Sequence, residues 1–180
     1  MVGDSISAGY GLNQNEGWVH LLQQRLSSNG YPHQVVNASI SGDTSSGGLQ
    51  RINNALKKHA PDIVIIELGA NDGLRGLSLK QLESNLSKMI TLSQNNKASV
   101  LILGMQLPPN YGPAYTKAFS NVYLSVSKNK RTALLPFLFT GFESDLSLFQ
   151  KDRIHPNVDA QELILNNVWP TLLPLLKLTD

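Results

Sequence analysis

The sequence predicts one α/β domain in which helices cover both faces of a parallel sheet of about five strands. Three observations predict it. Apolar runs of strand type recur at intervals, at residues 35–36, 63–68, 100–103 and 134–137. The stretches between them carry apolar residues at helical spacing. The length of 180 residues suits a single domain, and at somewhat more than about 30 residues per strand–helix unit it supplies about five units. A domain of this size hides about 70% of its unfolded surface, enough for a core without disulfides or metals.

Taken in order, Met1 and Val2 form a strand-type start that runs at once into the loop-like Gly3-Asp4-Ser5. Trp18, Leu21, Leu22 and Leu26 then fall on one face of a helix. After the short run at 35–36, Leu49, Ile52 and Leu56 mark a second helix. The runs at 63–68 and 100–103 are near-continuous rather than alternating, as expected of parallel strands buried on both sides. Leu79, Leu82, Leu86, Met89 and Ile90 stripe the helix between them. Tyr115, Phe119, Val122 and Val126 form a fourth stripe leading to the run at 134–137, and Ala160, Leu163, Ile164 and Val168 a fifth. Right-handed crossovers turn this alternation into a parallel sheet. No repeat, low-complexity tract or linker interrupts it, so residues 1–180 read as one domain.

Composition removes several function classes. With 41% hydrophobic and 16% charged residues, disorder and coiled coil are excluded. Lys and Arg number 15 against 13 Asp and Glu, a net charge of +2. That is too little for a protein held by phosphate contacts, so no nucleic-acid partner is expected. The absence of cysteine rules out zinc ribbons, thiol nucleophiles and disulfide scaffolds. No apolar run approaches the ~18–20 residues of a membrane-spanning helix, so no integral membrane association is expected.

In open parallel sheets the ligand site lies at the carboxyl ends of the strands. The segments there are 3–11, 39–48, 69–77, 105–112 and 151–157, most of them rich in Gly, Ser, Asp and Asn. The loop at 42–47 lacks the Lys-Ser/Thr pair of a phosphate-binding loop, and Gly9-Tyr10-Gly11 lacks the third glycine of a dinucleotide fingerprint. Gly-x-Ser-x-Gly does not occur. His20, His33, His59 and His155 form no His-x-x-x-His pair, so no metal is expected.

Four features remain. Asp152 stands three residues before His155, where its carboxylate can accept the imidazole Nδ1–H and leave Nε2 free as a base. Pro156 biases His155 away from helical dihedrals, so the next helix should begin just beyond it. Ser5 follows a strand-type start, where its Oγ and backbone N–H would face the carboxyl edge of the sheet. Asn71 closes the strongest strand and can turn its amide into the cleft as an oxyanion donor. Gly42, lacking a side chain, can bring a backbone N–H close to a substrate. Each also fits a plainer role: a capping aspartate beside a surface histidine, a turn serine, a turn asparagine, a turn glycine. Their order along strand-end loops, Ser, Gly, Asn, Asp-x-x-His, is what is specific.

Those four blocks, Gly3-Asp4-Ser5-Ile6-Ser7, Ser41-Gly42-Asp43-Thr44, Gly69-Ala70-Asn71-Asp72 and Asp152-Arg153-Ile154-His155-Pro156, resemble the SGNH (GDSL) hydrolase superfamily over nearly the whole chain. Residues 37–44, 67–74 and 107–112 look most like its bacterial multifunctional thioesterase I / lysophospholipase / arylesterase group. The resemblance implies a flavodoxin-like three-layer α/β/α fold with a five-stranded parallel sheet and no metal or cofactor. It implies Ser5 as nucleophile, His155 as general base and acid, and Asp152 as the residue orienting His155. The Ser5 and Gly42 N–H groups and the Asn71 side chain would form the oxyanion hole. It further implies a monomer acting on small-molecule acyl esters and thioesters of medium to long chain, including lysophospholipids, acyl-CoA and aryl esters.

Residues 74–77 and 105–111 mix apolar side chains with Gly and Pro, which suits either an acyl groove or an ordinary surface loop. Leu74, Arg75, Leu107, Pro108 and Tyr111 are the expected substrate contacts, with Arg75 placed either for an anionic head group or for solvent. Two other readings stand beside this one: a carbohydrate O-acetylesterase of the same superfamily, and a non-catalytic acyl-binding protein. Where the superfamily has a full first strand, only Met1 and Val2 precede the Gly-Asp-Ser block here. The chain is therefore expected to be a shortened, first-strand-truncated version of a longer precursor, periplasmic if the upstream part carries an export signal.

Overall fold

A computed structural model describes residues 1–176. Its elements run β1 (Val2–Gly3), α1 (Ser5–Ala8), α2 (Trp18–Ser28), α3 (Ser45–His59), β2 (Ile63–Glu67), α4 (Ala70–Leu74) and α5 (Leu79–Asn95). They continue with β3 (Ser99–Leu103), α6 (Pro113–Lys130), β4 (Ala133–Leu135) and α7 (Gln161–Leu172). The four strands lie in the order β1-β2-β3-β4, all parallel. Val64, Ile65 and Ile66 of β2 are buried in succession, as are Val100 to Leu103 of β3. Burial of successive residues means that both faces of the sheet are covered. Helices α3, α5 and α6 pack side by side in one row, and α2 and α7 in another.

Among the described residues the sheet has four strands where five are expected. The run at 35–36 does not form a strand of the sheet; it belongs to an extended segment beside β1. Along that segment the Met1 amino group donates to Val36 O (2.9 Å), Ala38 N–H to Met1 O (2.9 Å) and Ile40 N–H to Gly3 O (3.0 Å). A regular ladder would also use the Ala38 carbonyl, but the Arg51 guanidinium takes it and reaches Gly3 O at 3.2 Å. The run at 134–137 is likewise trimmed: β4 ends at Leu135, and beyond it the N–H of Leu138 rather than that of Phe137 reaches Gly104 O (3.0 Å), which breaks the regular ladder.

Strand register brings the loops of interest together. Gly3 pairs with Glu67, so β1 and β2 end side by side, one leading into Ser5 and the other into Asn71. Between them Gly69 takes φ 123°, a conformation disfavoured for residues with a Cβ, and a Cβ there would strike the Tyr123 hydroxyl. A buried network then fixes α4 against α3. Asp72 accepts from Ser45 N–H (2.8 Å) and Ser45 Oγ (2.5 Å), and Asn85 donates to the same Oγ at 2.9 Å. The carboxylate at the first helical N–H of α3 is favoured by the helix dipole and holds loop 41–44 beside Asn71.

Candidate active site

Ser5 is the first residue of α1, whose N-cap is Asp4: its Oδ1 accepts the Ile6 N–H at 3.1 Å. The short helix ends after one turn on Gly9 in the left-handed conformation. Ser5 is thereby lifted half-exposed from the carboxyl end of β1. His155 arrives from the loop before α7. That loop is closed by Gln150, whose N–H donates to His155 O (2.8 Å) and whose side chain donates to Tyr10 O (2.7 Å) and Pro156 O (3.1 Å). Asp152 Oδ1 accepts the N–H groups of Ile154 (2.9 Å) and His155 (3.0 Å), which folds the Asp-x-x-His segment into one turn.

The result is a continuous chain of hydrogen bonds. Asp152 Oδ2 lies 2.7 Å from His155 Nδ1, and His155 Nε2 lies 2.8 Å from Ser5 Oγ. With Nδ1–H donating to the carboxylate, Nε2 accepts the Ser5 hydroxyl proton, the geometry by which an imidazole can draw a proton from a hydroxyl nucleophile. Partial burial works against the charge of Asp152, but the two N–H donors and the imidazole outweigh it and hold the carboxyl below the usual range. Asp152 therefore stays ionised and acts only as acceptor. The Tyr10 ring packs against the imidazole, with centroids 4.6 Å apart.

The other two expected groups lie on the neighbouring loops, with Asn71 bonded to Asp4, the residue before Ser5. Gly42 adopts φ 78°, and neither its N–H nor that of Ser5 has an acceptor among the described residues. The Asn71 amide nitrogen donates to Asp4 Oδ2 (3.1 Å) and to Asp43 O (2.9 Å). It is thus held from two sides, and an amide proton so held can be shared with a third acceptor. Arg75 spans the same edge, donating from Nη2 to Gly42 O (3.0 Å) and to Asn71 Oδ1 (3.4 Å).

The expected substrate contacts divide. Leu74 is half-buried, Pro108 is exposed, and Tyr111, 37% exposed, donates its hydroxyl to Leu74 O at 3.0 Å, which clasps the two wall segments together. Leu107 is not a surface contact. It is buried against Gly73 beside Phe119, as core packing. A separate cavity of about 760 Å³, lined by Met1, Leu22, Val36, Ile63 and Ser99, opens at the amino ends of the strands, far from Ser5. Among the described residues no group of three His, Cys, Asp or Glu side chains is placed to hold a metal, and no helix is long and apolar enough to cross a membrane.

Beneath the site lies a pair of acids that motif reading passed over. Asp4 and Glu67 are 1% and 0% exposed and adjoin, the Asp4 N–H donating to Glu67 Oε2 at 3.3 Å. Burial pushes Asp4 up to about 6, although the bonds from Ile6 N–H and Asn71 and the nearby Glu67 and His155 oppose the rise. Burial, and then the charge of Asp4, push Glu67 well above the carboxylate range. One signal was available: Glu67 is the single charged residue in the apolar run 63–68.

The sequence model of the GDSL-like lipase/acylhydrolase family matches residues 1–163. The chain belongs to this family. Esterase TesA of Pseudomonas aeruginosa is 54% identical over 176 residues, covering 98% of this chain and 88% of that protein. The thioesterase 1/protease 1/lysophospholipase L1 of Escherichia coli is 41% identical over 175 residues, covering 97% of this chain and 83% of that one. A crystal structure of TesA superposes with a TM-score of 0.95 over 97% of each chain, at 54% identity. As a lipase/acylhydrolase the protein is an enzyme, and the site to be accounted for is one that attacks acyl compounds.

Proposed function

We propose that this hydrolase cleaves carboxylic esters and thioesters through an acyl-enzyme on Ser5, and the observation that carries the mechanism is the Ser5–His155–Asp152 hydrogen-bond chain. Ester and thioester hydrolysis is what the family and the names of its relatives support. His155 Nε2 takes the hydroxyl proton as Ser5 Oγ attacks the acyl carbonyl. The tetrahedral oxyanion is met by the free N–H groups of Ser5 and Gly42 and by the Asn71 amide. His155 then gives the proton to the departing alcohol or thiol. Water attacks the acyl-enzyme with His155 again as base, and Ser5 is regenerated. Asp152 fixes the tautomer and balances the imidazolium. No step calls for a metal or cofactor.

The Asn71 assignment has a measurable size. Asn71→Ala should lower kcat about 100- to 1,000-fold with little change in KM, as for loss of one oxyanion donor. A drop of less than tenfold would remove Asn71 from the hole.

Leu74, Arg75, Pro108 and Tyr111 are the residues proposed to border the acyl chain and head group. Arg75 uses only Nη2 among the described residues, which leaves its other N–H groups for an anionic head group. The proposed substrates are lysophospholipids, acyl-CoA and aryl esters of medium to long acyl chain. A series of p-nitrophenyl esters from acetate to palmitate tests this, with kcat/KM expected to rise to medium chain length. A sharp fall beyond acetate would instead mark an O-acetylesterase. A five-stranded sheet, a monomeric state and, if an upstream segment carries an export signal, a periplasmic location belong to the same proposal and rest on the family alone.

A further inference from the structure

The buried acid pair is not used by the reaction sequence above, yet it touches both sides of it. Asp4 caps the helix that begins with Ser5 and accepts from Asn71 Nδ2. Glu67 ends β2, where its Oε2 accepts from Ser7 Oγ (2.8 Å) and from Asp4 N–H (3.3 Å), while its Oε1 has no donor among the described residues. Neither carboxyl has a Lys or Arg partner among them. The other groups facing the pair are Asp72 and Asn71 from α4, the Tyr123 hydroxyl from α6, Arg51 from α3 through Gly3 O, and His155.

Two ionised carboxylates on residues this close, Asp4 N–H lying 3.3 Å from Glu67 Oε2, both buried and without a cation, would repel strongly. They would also place two negative charges directly under the point where the oxyanion develops, opposing the charge the site has to stabilise. One hydrogen between the two acids removes both difficulties. We propose that Glu67 is a positioning residue, a neutral buried acid that donates its hydrogen to Asp4 and so keeps Asp4 Oδ2 as the acceptor that aims the Asn71 amide. The single charge left on Asp4 also favours the imidazolium that forms on His155 during attack. This inference rests on the proposed roles of Ser5 and Asn71. What it adds is that the oxyanion hole depends on the protonation of a group that never meets substrate.

The pair Glu67→Gln and Glu67→Leu separates a donor role from mere filling of space. Glutamine stays neutral, keeps the shape and still donates to Asp4, so its kcat should remain close to wild type at neutral pH. Leucine donates nothing, and a misaimed amide should lower kcat about 10- to 100-fold with KM nearly unchanged. Infrared spectra at neutral pH provide a readout independent of activity. The wild type should show the carbonyl stretch of a protonated carboxylic acid, and Glu67→Gln should lose it. Absence of that band in the wild type overturns the proposal, as does full kcat in Glu67→Leu or a loss of kcat in Glu67→Gln. If the leucine variant does not fold, the glutamine variant and the infrared band decide. Ser5→Ala assayed alongside keeps the two claims apart. Retained activity there defeats the nucleophile assignment, whereas an inactive Ser5→Ala beside a fully active Glu67→Leu defeats only the role of Glu67.

Discussion

Ser5→Ala is expected to lower kcat on a medium-chain ester by about 10⁶-fold while leaving KM close to wild type. The reason is geometric. Ser5 Oγ is the one hydroxyl bonded to His155 Nε2, and that imidazole has no second nucleophile to activate among the described residues. Because the two residues act as a unit, His155→Ala should cost about as much, and the double variant should be no worse than either single one. Steady-state kinetics of the three variants, with circular dichroism to check folding, measure this. Additive losses, or a Ser5→Ala variant within tenfold of wild type, would contradict the mechanism.

Asp152→Asn should lower kcat by about 10⁴-fold. Asparagine can still accept the Ile154 and His155 N–H groups through Oδ1, so the turn survives. What changes is the group facing the ring. An amide NH₂ opposite Nδ1 favours the tautomer that carries its proton on Nε2, and Nε2 then points a hydrogen at Ser5 instead of a lone pair. The loss should fall on kcat with KM little altered. Removing the carboxylate also removes the fixed charge that balances the imidazolium. A loss below about tenfold would mean that His155 is oriented by something else, and the Tyr10 ring and the Gln150 bonds around the loop would then be the groups to examine.

The helices were legible in the sequence because each has one apolar face, and the stripes from Trp18, Leu49, Leu79, Tyr115 and Ala160 all fall in or at the start of helices. The central strands were legible because burial on both sides leaves a continuous apolar run. The edges were not. At residues 35–40 two valines suggested a strand, but the competing donor there is Arg51, a residue from another element whose reach only the tertiary structure reveals. Leu107 looked like a wall residue from its loop composition, whereas it fills the gap left by Gly73. In the site, the types and order of Ser5, Gly42, Asn71, Asp152 and His155 carried the reading, since their chemistry is local to short motifs. Asp4 and Glu67 escaped it because their contact depends on the pairing of β1 with β2. Motif spacing does not encode that register; the lone acid in an apolar strand was its only trace.

The central claim is that Ser5 is a nucleophile activated by His155. Treating the protein with a fluorophosphonate and mapping the adduct by peptide mass spectrometry tests it most directly. The expected result is one phosphonyl group per chain, on Ser5, formed in parallel with loss of esterase activity and absent from both Ser5→Ala and His155→Ala. An adduct on another residue, or an enzyme that keeps its activity with Ser5 unmodified under saturating reagent, would contradict the account.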